Sequence, residues 1–542
     1  MEKSKVKNSI ILSGLIGTGG FFFAKLISLL YVIPLSTILG SVTYTGYYGT
    51  AYRIYSYFLN IFSAGFPFAV ATLVAKYSAL EDSKTVLVIR KISIGFLAMA
   101  GFVGMIFMFA ISGILAPVMT NTTNPENIKI MQNILCILGV AIFLVPVLSA
   151  YRGIIQGRKE IGEYAFSQTF EQLFRVGFLL SVSCLLVYVF GMERKWALYA
   201  SVTSTAVAAI AGLIQIYFFE KKSSKVIFEQ AAVQTTKAVN SKKLFKEFVM
   251  LAIPFLLVAV FGYSDDLYNS ILLPLGLDHG AYSVHQIDTI KSAMNYAGTK
   301  LTAIPMILAP GFTAAIIPHI SAALVENNKK LIRKNITDCM NILLYLGLSI
   351  SFCLFVYAEP LTYTLFAPDD LQLSADVLKW LSIEALIGTI LPVVTNIMMA
   401  LKFQKKILFR SFIFCLIKGV MMLPCMYLMG YAGAVVASAV SALYLLITNM
   451  HDIQSAYHVS IKNIMHKLLF IMVGLAGLWI TSILLSKVGL DGTQGSRLVC
   501  FIKMGFNGLI SVAVYVAITV ALQVPQNIFH VNLADIKQKI KK

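Results

Sequence analysis

The sequence predicts an all-α polytopic membrane protein of fourteen transmembrane helices, two pseudo-symmetric six-helix halves plus two C-terminal helices. Three observations carry that expectation. Of 542 residues, 58% are hydrophobic and only 13% are charged, with a mean hydropathy of +0.79. That is about half the charge of an ordinary soluble protein, too little to cover so much apolar surface in water. The apolar residues also fall into fourteen runs, each long enough to cross about 30 Å of hydrocarbon as a helix. Finally, the period-2 alternation of a membrane β-barrel is absent. Disorder and a string of soluble domains are excluded by the same composition.

The runs are, in order, 8–34, 50–75, 87–116, 130–151, 164–191 and 196–219 (spans 1–6). Then follow 247–273, 291–322, 336–358, 376–401, 407–429 and 431–451 (spans 7–12), and 464–486 and 499–523 (spans 13 and 14). Span 1 follows a basic start, as a signal peptide does, but its apolar run is too long and lacks a small-x-small cleavage site, so it reads as a membrane helix. The loops alternate in charge. One side holds Lys3, Lys5, Lys7, the clusters at 76–91, 152–159, 221–246, 329–334 and 402–410, then Lys462, Lys467 and the tail at 537–542. That side has 31 Lys or Arg against 8 opposite. Positive-inside logic places both termini of a multi-pass membrane protein in the cytoplasm. The net charge of +19 therefore follows topology and is not a nucleic-acid face.

The longest polar stretch, 220–243, is read as a cytoplasmic linker. It divides an N-terminal six-helix half (1–219) from a second half (244–455), and residues 456–542 add two helices and a basic tail. The halves resemble each other at an offset of about 240–246 residues. Ile33-Pro34-Leu35 parallels Leu273-Pro274-Leu275, and Ala64-Gly65-Phe66 parallels Pro310-Gly311-Phe312. Arg90-Lys91 parallels Arg333-Lys334, and Arg175-Val176-Gly177 parallels Lys418-Gly419. An even number of spans per repeat keeps both in one orientation, as in parallel-repeat transporters built around a central cavity. Prolines inside spans 2, 4, 7, 8, 10 and 11 are expected to bend those helices.

Charges inside the spans are the candidate functional residues, because each costs about 2.5–3.5 kcal/mol at mid-bilayer on insertion scales. Lys25, Arg53 and Lys300 lie in spans 1, 2 and 8, with Arg53 and Lys300 at near-equivalent repeat positions. Three convergent cations with few acids nearby call for an anionic ligand, and a diphosphate suits an Arg fork and a mobile Lys charge. Asp265 and Asp266 in span 7 form a candidate ion site, with Lys418 in span 11 as partner. An Asp266–Lys418 pair is expected, the ammonium standing where a related transporter would hold a metal cation. Glu171 and Arg175, spaced i, i+4 on span 5, are expected to pair with each other. They are secondary candidates, as is Glu384 in span 10.

Other chemistry is poorly supplied. The seven Cys show no zinc or redox spacing and read as buried free thiols. None of the seven His has the spacing of a helical zinc site, and no P-loop or dinucleotide fingerprint occurs. No catalytic residue, metal or cofactor is expected, and an enzymatic function is not.

Two runs carry a family resemblance. One goes from Ala51-Tyr52-Arg53-Ile54-Tyr55 through Gly65-Phe66-Pro67 to Leu73-Val74-Ala75-Lys76-Tyr77. The other goes from Tyr296-Ala297-Gly298 and Lys300, through Pro305, to Ile317-Pro318-His319-Ile320-Ser321. They resemble spans 2 and 8 of SpoVB/YtgP-type, MurJ-like proteins of the MOP exporter superfamily. The resemblance implies transport of undecaprenyl-diphosphate-linked cell-wall precursor, lipid II, from the inner to the outer leaflet. It also implies a cavity lined by cations of spans 1, 2 and 8. Lys300 matches the span 8 cation by standing five before Pro305, and Lys25 matches that of span 1. Arg53 stands several residues from the family's span 2 arginine. Some relatives hold sodium between acids of spans 7 and 11; here span 7 keeps its acids but span 11 offers Lys418. Partners implied are the polyprenyl-diphosphate-linked glycan lipid, membrane lipids and cell-wall synthases. The alternatives are export of another polyprenyl-linked oligosaccharide, for capsule or exopolysaccharide, and a MATE-like drug or cation antiporter.

Overall fold

The computed structural model describes residues 31–63, 66–158, 160–280 and 282–529. Most of span 1, including Lys25, and the basic tail at 537–542 lie outside the described residues. The described residues are helical almost throughout, with no strand among them. Among the described residues eleven helices are long and apolar enough to cross a membrane, and they fall on spans 3–7 and 9–14. Span 2 comprises the helices Val42–Ser63 and Phe66–Ala79.

Span 8 differs from a single rod. It runs as Val284–Ser292, a π-helical turn Ala293–Ala297, Gly298–Met306 and Leu308–Val325. Prolines at 305 and 310 flank the break at Ile307, and Pro310, which has no N–H, leaves the Met306 carbonyl without its helical donor. The π turn brings Gly298 so close to its neighbours that a Cβ would run into Leu381 Cδ1 and meet the Ala293 carbonyl at 2.6 Å. Pro146, Pro254, Pro392 and Pro424 lie inside helices that continue past them. Span 7 is two helices, Ser241–Gly262 and Ser264–Asp278, joined at Tyr263.

Polar residues just outside the apolar runs start several of these helices. The side chains of Asp82, Asn124, Asn240, Asn328, Asp370 and Ser460 each accept a hydrogen bond from a first-turn N–H, and Ser283 with Gln286 forms a full capping box. Burial pushes the Asp82 carboxyl up, but hydrogen bonds from Thr85 and Gln234 outweigh it and hold the group below the ordinary carboxylate range. The linker is not featureless: Lys225–Val233 forms a nine-residue helix. Its Gln230 accepts from Ser83 Oγ (3.1 Å), and Gln234 accepts from the Lys84 N–H (2.9 Å).

The chain forms two compact units, one of residues 1–33, 283–410 and 420–542, the other of 34–282 and 411–419. This contact division differs from the sequential halves: span 7 clusters with spans 2–6. In the second unit an apolar core joins Phe66, Val70 and Leu73 of span 2 to Ile89, Ile154 and Phe248. Glycines bring helices close there. A Cβ on Gly157 would lie 2.7 Å from the Ala71 carbonyl, and one on Gly153 2.8 Å from that of Pro67. In the first unit Leu301 of span 8 packs with Leu354, Leu378 and Ala385. All seven Cys are free thiols; Cys339 and Cys500 are buried and the others only half-buried, a correction to the expectation of general burial.

Candidate functional site

Four charges meet in the unit built from 34–282 and 411–419. Asp265 and Asp266 occupy the first turn of Ser264–Asp278, where a helix N-terminus favours negative charge. Lys418 Nζ lies 2.6 Å from Asp265 Oδ1, and Arg53 Nη1 lies 3.2 Å from Asp266 Oδ1 and 3.9 Å from Asp265 Oδ2. Asn269, one turn beyond Asp265, donates to its Oδ2 (2.8 Å) and accepts from Lys418 Nζ (3.2 Å). Two cations and two carboxylates make the group neutral. The cations are the buried partners: the Lys418 side chain is 0% exposed and that of Arg53 8%, against 21% for Asp265 and 27% for Asp266. Ser270 ties the same helix to span 2 by donating to the Thr50 carbonyl at 3.5 Å.

This geometry corrects two expectations. Lys418 pairs with Asp265, not Asp266. Successive helical residues point about 100° apart, so the two acids face different neighbours: Asp265 shares the Asn269 face toward Lys418, and Asp266 turns toward Arg53. Nor is Arg53 a cation without acids nearby, since both carboxylates lie within ion-pair distance.

Lys300 has a different setting. It sits half-buried in Gly298–Met306, where Nζ donates to the Tyr31 hydroxyl at 2.8 Å and lies 5.1 Å from the Tyr31 ring centroid. Among the described residues Lys300 makes no ion pair. Lys25 lies outside the described residues. Glu171 forms its ion pair with Arg152 (2.7 Å), across helices, in place of the expected pair with Arg175. Arg175 donates to the Tyr52 hydroxyl (2.6 Å) and lies over its ring at 5.0 Å, and Tyr52 also bonds Thr205. Glu384 is half-buried in Leu371–Ala400.

Sequence reasoning missed Asn269, Tyr31, Tyr52 and Arg152. Asn269 had a signal, its i+4 spacing from Asp265. Arg152 sat at the edge of a basic loop and was counted with the topology signal. Tyr31 and Tyr52 stood in apolar runs, where a tyrosine reads as packing.

The chain is similar in sequence and in fold to several known membrane proteins. Residues 7–324 match the family model described as polysaccharide biosynthesis protein. The lipid II flippase MurJ of Bacillus subtilis (strain 168) is 25% identical over 514 residues, covering 91% of this chain and 92% of that protein. A solved structure of the lipid II flippase MurJ in its inward closed conformation superposes with a TM-score of 0.67 at 12% identity, covering 94% of this chain and 99% of that one. An inward-facing multidrug resistance MATE transporter of the MOP superfamily gives a TM-score of 0.58 at 15% identity, over 81% of this chain and 95% of that one.

Proposed function

From the premise that this chain belongs to the polysaccharide biosynthesis protein family, and has the multi-pass fold of MurJ and MATE transporters, we propose that it is a lipid II flippase. It carries the undecaprenyl-diphosphate-linked precursor from the inner to the outer leaflet by alternating access, with both termini cytoplasmic and no catalytic chemistry. Likeness over nine-tenths of the length to a protein named for that activity supports the substrate.

Lys300 is the observation that carries the assignment. A cation in an interrupted membrane helix rests on a neutral tyrosine hydroxyl, and a phosphate oxygen would supply the opposite charge that this contact lacks. Lys25 and Arg53 are the further cations assigned to the diphosphate from the sequence. Asp265, Asp266 and Lys418 serve as the coupling group, its charge balanced by Arg53, with Lys418 acting as a tethered cation. Cell-wall synthases that consume the exported lipid are the expected partners.

The test is lipid II exposure on the outer leaflet of a flippase-depleted bacterium expressing this protein, read by an impermeant lipid II-cleaving enzyme. Wild type restores cleavage, and a well-inserted Lys300→Ala variant loses at least tenfold. The family description favours one competing cargo, another polyprenyl-linked oligosaccharide for capsule or exopolysaccharide. Correct insertion with no restoration moves the assignment there. The MATE likeness is one of fold alone and gives drug antiport no support beyond it.

A further inference from the structure

Helices Ser83–Thr120 and Ser241–Gly262, in one compact unit, leave between them a groove of about 760 Å³, within the about 300–1,000 Å³ of small-ligand sites. Leu87, Ile92, Phe96, Met99 and Phe245 supply apolar walls, and Met99 and Phe245 are 61% and 42% exposed. Lys91, one turn after Leu87, and Ser241 also line the groove, and Lys242 follows Ser241, exposed, on Ser241–Gly262. Gly95 also lines it, and a Cβ there would meet nothing within 4 Å, so the space beside it is open. The floor is firm: Phe96 packs on Phe248 at 5.6 Å and on Phe66 of span 2 at 5.2 Å between ring centroids.

We propose that this groove binds one anionic glycerophospholipid of the cytoplasmic leaflet, its phosphate on Lys91 and Lys242 and one acyl chain laid toward Met99. The cytoplasmic placement rests on the orientation proposed above. Charge and length select the occupant. Basic pockets between helices on the cytoplasmic side attract acidic headgroups, and beyond Lys91 the lining is apolar from Ile92 through Phe96 to Met99. Lys91 to Met99 is eight helical residues, about 12 Å of rise, close to the depth of one leaflet and short for a polyprenyl chain. The lipid lies against Phe96, and through it against the aromatic contact that seats Phe66 at the head of Phe66–Ala79.

The test uses the purified full chain in detergent, native mass spectrometry, and phosphatidylglycerol and phosphatidylcholine of identical chains as probes. Wild type retains one phosphatidylglycerol about fivefold over phosphatidylcholine. Gly95→Phe fills the trough and releases it, and Lys91→Gln, a change on an exposed side chain, brings the two lipids level. Equal retention by wild type overturns the proposal, as does undiminished phosphatidylglycerol on Gly95→Phe. Displacement of the bound lipid by equimolar undecaprenyl phosphate also overturns it and gives the groove to the carried lipid. No transport is measured, so failure of the flippase assignment leaves these outcomes unchanged.

Discussion

A fully buried ammonium is the most demanding residue in this protein. Lys418 is stabilised by Asp265 at 2.6 Å and Asn269 at 3.2 Å, in a unit that otherwise encloses it. Stranding a buried charge costs about 3–5 kcal/mol, more than the pair adds over an apolar replacement. Asp265→Ala is therefore expected to lower stability by about that amount. Lys418→Ala, which leaves behind a partly exposed carboxylate, should cost less. Reversing both, Asp265→Lys with Lys418→Asp, should recover most of the loss in a thermal unfolding experiment in detergent, whereas Asp266→Lys with Lys418→Asp should not. Equal rescue by the two reversals would sink the assignment of partners. The sequence placed these charges in spans 7 and 11 and pointed to an ionic contact between them. It did not say which of two adjacent acids faces Lys418, because that depends on helix phase about the axis, which packing decides. Arg53 was misjudged for the same reason: its acids lie 212 and 213 positions away in sequence, and nothing local marks them.

At the scale of elements, apolar length and capping residues made most helices legible. Asp82, Asn240 and Asp370 stand just ahead of spans 3, 7 and 10 and accept from first-turn amides. The irregular elements were less legible. Pro305 and Pro310 announce one interruption of span 8, but the π turn Ala293–Ala297 follows from packing near Leu381, and the linker helix is held by Gln230 and Gln234 bonding some 150 positions upstream. Close helix approach also depends on partners the chain does not show locally. Gly157 and Gly177 look alike in sequence, yet a Cβ on Gly157 would lie 2.7 Å from both the Ala71 carbonyl and Val74 Cβ, while one on Gly177 meets nothing within 4 Å. Gly157→Leu is expected to push Phe66–Ala79 off Pro125–Gly157 and destabilise by about 1–3 kcal/mol. Gly177→Ala should be neutral or gain about 0.5–1 kcal/mol of helix stability. Melting temperatures of the two variants, measured side by side, decide it. A tolerated Gly157→Leu would show that the seam between these helices is not close-packed.

For the molecule as a whole, the charge balance of the site bears on what drives transport. Two carboxylates in a membrane protein ordinarily invite a metal cation or a proton. Here Arg53 and Lys418 already lie against Asp265 and Asp266, so an added sodium ion would have to displace a tethered cation held in place by the chain. The proposed cargo supplies its own driving force. Moving one charge through 100 mV is worth about 2.3 kcal/mol, and a dianionic diphosphate leaving a negative interior gains roughly twice that. That is enough to bias export more than a thousandfold without an ion gradient, each 1.4 kcal/mol being about tenfold. Replacing sodium by potassium or choline on both sides of proteoliposomes is therefore expected to leave the lipid II transport rate unchanged within twofold. Collapsing the membrane potential should slow it at least tenfold. Lys418→Ala is the informative variant, because it clears Asp265 of its resident cation. Sodium should raise that variant's melting temperature and leave wild type unmoved. If wild type already needs sodium, the quartet is not the self-contained counter-charge its distances describe, and the ammonium of Lys418 must leave Asp265 during each cycle.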